Sequence, residues 1–176
     1  MLARTLCAAA ALMLCAAADA CPTDPAPRAA GIVLSIQPAG RPARPFSAAD
    51  LAALPQTTLT QRQSVSSTGG TATERSLSYG GVLLRDALTT SGFDATTDRS
   101  ARTAVIEAVA TDGYRAVFSW GELFNNPVGE QVLVITTLDG KPLDAAAGPV
   151  ALRSLADLRP GPRHVRNLCA LLVRGL

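Results

Sequence analysis

Between Cys21 and Cys169 the chain has no cysteine at all, and it holds a single histidine, His164. One His and two Cys cannot supply the usual ligand set of a structural or catalytic zinc site. The same scarcity argues against a serine hydrolase. Ser119 lacks a G-x-S-x-G setting, and His164, the only imidazole to serve as base, is as a lone His more often a surface or hydrogen-bonding residue. Charge is sparse too: Asp, Glu, Lys and Arg make up 17% of the residues and the net charge is +2, too mild a balance to argue for nucleic acid. Aromatic residues are rare, with one Trp, two Tyr and four Phe, which together with the many Ala residues points to a GC-rich coding sequence more than to a function. After Ala18 no apolar run is long enough to span a bilayer as a helix.

What is present begins with an export signal. Arg4 provides a positive start, Leu6 to Ala18 an apolar run, and Ala18-Asp19-Ala20 the small residues that signal peptidase requires. Residues 1–20 are therefore expected to be removed, residues 21–30, rich in Pro and Ala, to form a flexible leader, and residues 31–176 to form one domain in the periplasm. Cleavage takes Cys7 and Cys15 with it and leaves the pair Cys21 and Cys169, for which a disulfide is the leading reading in an oxidising compartment. The rival is a lipidated Cys21, although Asp19 fits a lipoprotein signal poorly.

The punctuation of the chain predicts a β-rich, mixed α+β domain. Ile32, Leu34 and Ile36 alternate as a strand; Ser47 to Asp50 has capping-box spacing ahead of a short helix stopped at Pro55. Thr57–Val65 and Thr71–Ser78 read as a hairpin around Ser66 to Gly70. Tyr79-Gly80-Gly81 is expected to break it, with Val82, Leu83, Ala87 and Leu88 at helical spacing to about Ser91. Val105–Val109 and Tyr114–Phe118 flank an Asp112-Gly113 turn, and Ser119 to Glu122 repeats the capping-box spacing. Gln131–Leu138 is the most apolar β-branched run and is expected to be central; Val150–Arg153 follows, and Leu168–Val173 is expected to close the sheet.

Glu107, Asp112 and Glu122 are carboxylates that could work as acid and base, though near turns they are more often solvated or capping, and Glu122 is the natural partner of Ser119. More telling is Arg159-Pro160-Gly161-Pro162-Arg163-His164-Val165-Arg166. Here two prolines and a glycine constrain a loop that offers Arg163, His164 and Arg166 as donors for phosphate, carboxylate or a heterocycle edge. Its plainer reading is a solvated basic loop beside Asp157.

Taken in order, Tyr79-Gly80-Gly81-Val82-Leu83, Asp112-Gly113-Tyr114, Ser119-Trp120-Gly121-Glu122-Leu123, Leu138-Asp139-Gly140-Lys141-Pro142-Leu143, Gly148-Pro149-Val150 and Arg163-His164-Val165-Arg166-Asn167-Leu168 resemble the sulfite-oxidase-like, molybdopterin-binding domain family over roughly Pro45 to Val173. In that family a cysteine near an early strand ligates molybdenum, and the matching region, Thr57 to Tyr79, has none. The resemblance to small exported members therefore implies a protein that binds a reduced or molybdopterin-like pterin without a metal. It further implies that the protein signals to the periplasmic domain of a membrane-bound cyclic-di-GMP-metabolising enzyme. Chemically, such a pterin calls for an aromatic face for its ring, for which Tyr114 and Trp120 are the candidates although a core or strand role serves either equally well; for Asp112, Glu122 or Asn125, with Ser119 nearby, at its amide and amino edge; and for Arg163, His164 or Arg166, which fall on the family's final motif, at its tail. A molybdopterin oxidoreductase with an unusual ligand, and a structural module that has lost its ligand, stand as alternatives.

Overall fold

The computed structural model describes residues 21, 30–66, 72–93, 97–159 and 161–175. The expected signal segment and nearly all of the leader lie outside the described residues, as does most of the hairpin tip.

Two sheets face each other across the main core. The first has the order β2-β1-β11-β5-β6, built from β1 (Ile32–Gln37), β2 (Arg44–Ser47), β5 (Val105–Ala110), β6 (Arg115–Ser119) and β11 (Leu168–Arg174). The second has the order β10-β9-β7-β4-β3, built from β3 (Gln56–Ser66), β4 (Ala72–Leu83), β7 (Val132–Leu138), β9 (Ala151–Ser154) and β10 (His164–Val165), with β8 (Lys141–Pro142) paired to β7. Three short helices, α1 (Ala48–Ala52), α2 (Leu84–Thr90) and α3 (Trp120–Phe124), complete the set with two 3-10 turns at Arg99–Thr103 and Pro127–Gln131. Strand at 46% against helix at 20% bears out the β-rich α+β expectation.

Period-two patterning explains the layering. Leu34, Ile36, Ile106, Phe118 and Leu171 of the first sheet meet Val82, Val134, Leu152 and Val165 of the second, with Leu51, Leu84, Leu88 and Leu123 of the helices filling the gap. Each such side chain contributes about 1.5–3 kcal/mol by leaving water. The outer face of the first sheet is covered around Val109, Ala170 and Leu172 by the disulfide of Cys21 and Cys169, so the expected pairing is present.

Two expectations are corrected. Tyr79-Gly80-Gly81 does not end the hairpin: β4 runs through it to Leu83, paired with β3 on one side and β7 on the other. Val82 points into the main core and Leu83 to the opposite face, so the apparent helical spacing arises from a strand buried on both faces followed by one short helix. Glycine is required here because a Cβ on Gly81 would run into the Val134 carbonyl, where the β4–β7 register shifts. Likewise β11 does not close its sheet; it lies in the middle, parallel to β1 and antiparallel to β5, as suits a strand buried at every residue but the last.

Candidate functional site

The β5–β6 turn is shaped locally. Gly113 takes φ +86°, its N–H donates to the Ala110 carbonyl at 3.0 Å, and Asp112 Oδ1 accepts from the Tyr114 N–H at 2.9 Å. Thr111 N–H donates to the Asn167 carbonyl at 3.0 Å, which ties this turn to the one between β10 and β11. Tyr114 donates its hydroxyl to the Pro162 carbonyl at 2.7 Å while the residue as a whole stays 44% exposed. A polar tip thus fixes the basic loop and leaves much of the ring open to a ligand.

Around these elements Asp112, Tyr114, Gly161, His164 and Arg166 line a cleft of about 240 Å³. Burial, reinforced by the charges of Arg153 and Arg166, pulls the His164 pKa from 6.5 down to about 4, so the imidazole is neutral at neutral pH and can both donate and accept a hydrogen bond.

Beside the cleft, Arg163 is held on two sides. Its Nε donates to Asp157 Oδ2 at 2.8 Å, its Nη2 pairs with Asp157 Oδ1, and its Nη1 donates to Glu122 Oε1 at 2.8 Å. The guanidinium lies 4.7 Å from the centre of the Phe118 ring. Glu122 Oε2 in turn accepts from the Ser119 N–H at 2.8 Å and the Ser119 hydroxyl at 3.0 Å, closing the capping box anticipated from the sequence. The Arg163 hydrogen bonds hold Asp157 below its ordinary carboxylate value. Burial alone would push Glu122 up, but the hydrogen bonds of Ser119 and Arg163 outweigh it and hold it low.

The nine expected site residues therefore fall into three groups. Asp112, Tyr114, His164 and Arg166 share the cleft. Ser119, Glu122 and Arg163 form the adjoining network, already occupied with one another and with Asp157. Trp120 and Asn125 line neither: Trp120 stacks on Phe124 with ring centres 6.1 Å apart and packs against the main core, and Asn125 is the exposed C-cap of α3. Sequence reasoning missed Arg153, only 5% exposed, which donates to the Tyr79 hydroxyl and to Gln61 Oε1, each at 2.9 Å. An arginine ending an otherwise apolar strand was the available signal. Among the described residues no group of three or more His, Cys, Asp or Glu converges as a metal site, and no helix is long and apolar enough to cross a membrane.

No protein-family model matches the chain, and no curated protein matches it. A solved structure does. The chain is similar in fold to the sulfane dehydrogenase SoxCD of Paracoccus pantotrophus. The TM-score is 0.57 with 16% identical residues, and the match covers 80% of this chain but 37% of the SoxCD chain. At that identity the likeness to SoxCD is one of fold.

Proposed function

We propose that this is an exported, non-catalytic pterin-binding protein of the sulfite-oxidase-like fold, acting in the periplasm as a sensor for a membrane-bound partner such as a cyclic-di-GMP-metabolising enzyme. The observation that carries the reading is the cleft itself, in which an exposed Tyr114 ring, the Asp112 carboxylate, a neutral His164 and the Arg166 guanidinium converge on a fold shared with a redox enzyme. These groups suit a flat heterocycle with a donor-rich edge and a polar tail. Tyr114 offers stacking area, Asp112 accepts from amide and amino groups, His164 bonds in either sense, and Arg166 receives the tail. A bound pterin would supply a redox-active ring whose oxidation state the partner could read. A molybdenum centre held by a cysteine thiolate does not fit these residues, because Cys21 and Cys169 are bonded to each other and the stretch between them has no other cysteine.

The test is direct. Protein spanning residues 21–176 is purified anaerobically from its native periplasm, its ligand is released with acid and oxidised, and pterin fluorescence, mass and molybdenum are measured on one sample. Stoichiometric pterin without molybdenum is the expected result, and molybdenum with a pyranopterin would instead favour an oxidoreductase like SoxCD. Neither ligand, with no uptake of added pterin, would leave a fold without a cofactor. Tyr114→Ala and Arg166→Ala are each expected to weaken pterin binding about tenfold, roughly 1.4 kcal/mol, in fluorescence titrations. Trp120→Ala, outside the cleft, is expected to lower stability and leave that affinity in place.

A further inference from the structure

The two sheets end at β2, β6, β10 and β3, and three of these four edges are blunted. β2 has four residues with Arg44 and Pro45 among them, β6 has five with Arg115 among them, and β10 has two. Shortness, charge and proline keep an edge from pairing with another chain. β3 lacks that protection. It runs for eleven residues, Gln56–Ser66, in unbroken register with β4, with no proline and with Arg62 as its one charged residue. Among the described residues no strand pairs with its other side. Along such an edge alternate residues direct N–H and C=O groups outward, and these must find water or another strand.

The side chains of β3 suit a second copy of the same strand. Antiparallel pairing about a two-fold axis perpendicular to the sheet keeps each face on its own side and sets one residue opposite itself. With Leu59 at the axis, Thr57 meets Gln61, Thr58 meets Thr60 and Gln56 meets Arg62 of the other copy. The two Leu59 side chains then adjoin on the outer face, where Leu59 and Leu77 are half-buried at the border of the apolar cluster of Tyr79, Leu83, Leu133 and Ile135. Thr58 and Thr60, exposed on the opposite face, become β-branched cross-strand pairs, and no like charges stand opposite each other. Pro55, just before β3, has no N–H to give and marks the end of the ladder, opposite Gln63.

We propose that this protein forms a two-fold dimer through β3, which joins the second sheets of two copies into one continuous sheet centred on Leu59. β3 carries none of the residues that line the cleft, so the dimer is independent of the pterin reading.

Sedimentation equilibrium on residues 21–176 tests it. The expected result is a reversible dimer with a Kd on the order of 10 µM, as suits a contact built on one strand pair, and slower hydrogen exchange of alternate β3 amides as the dimer fills. Two double variants test the register, Thr58→Lys with Thr60→Lys and Thr58→Glu with Thr60→Glu. Both change exposed side chains, so each is expected to melt within about 4 °C of the parent. Each sets like charges opposite one another across the axis and is expected to raise Kd about a hundredfold. Mixed in equal amounts, the Lys and Glu forms set opposite charges together and are expected to recover a heterodimer within about tenfold of the parent affinity. A parent that stays monomeric at about 100 µM, variants that dimerise like the parent, or a mixture that stays monomeric overturns the proposal. A β3 edge reserved for a strand of a different protein would give the first of these results. Should a variant fail to fold, the concentration dependence of β3 amide exchange in the parent still decides, and its absence overturns the proposal.

Discussion

Gly81 and Gly113 are both glycine for reasons that differ in reach. Gly113 has open space around its Cα but takes φ +86°, so Gly113→Ala is expected to cost about 1–2 kcal/mol through backbone strain alone. Gly81 has no positive φ to explain it; the Val134 carbonyl occupies the place of a Cβ, and Gly81→Ala is expected to cost about 2–4 kcal/mol as strands β4 and β7 are forced apart. Urea denaturation of the two variants checks the order. The Gly113 turn was readable in the sequence because Asp112 and Tyr114 are its neighbours. The need at Gly81 was not, because the colliding atom belongs to a strand that only the fold brings alongside, and a double glycine in isolation reads as a break.

Helix α3 has only five residues, too few to be stable by itself, and depends on its cap. Ser119→Ala is expected to cost about 1 kcal/mol. Because one Glu122 oxygen holds Ser119 and the other holds Arg163, the costs of Ser119→Ala and Arg163→Ala are expected to be non-additive by about 0.5–3 kcal/mol in a double-mutant cycle followed by thermal unfolding. The disulfide joins residues 148 apart in sequence. Replacing both Cys21 and Cys169 by Ser is expected to remove about 5 kcal/mol, the loss expected from loop-closure entropy for so long a loop, in equilibrium unfolding. The capping box was legible because it is a spacing of three residues. That Arg163 would find Asp157 and Glu122, and so stand beside the cleft without being open to it, depended on the path of the loop.

The molecule as a whole should lose stability on acidification in two stages. His164 carries a pKa of about 4 in the fold against 6.5 ordinarily, so between those values the unfolded chain binds the extra proton. Stability is accordingly expected to fall as pH is lowered from about 6.5 to about 4 and to fall less over that window in His164→Gln, as read from urea midpoints. Glu107, Glu122 and Asp157 all sit below their ordinary values of 4.5, 4.5 and 3.8. Their stabilisation is present above those values and is lost as pH falls through the lower folded ones, which steepens the acid limit.

Local patterns in the chain were enough to specify the strand-rich class, both capping boxes, the Asp112-Gly113 turn and the apolar β7 strand, and to make a Cys21–Cys169 disulfide the leading reading, because each depends on neighbours a few residues away or on a count. Which strand lies in the middle, which glycine meets a carbonyl, which cations are neutralised and which one is left buried among neutral groups depend on residues brought together from distant parts of the chain. Those were decided by the packing of two sheets. A side chain's charge is written in the sequence, whereas its desolvation and its partners exist only once the chain has folded.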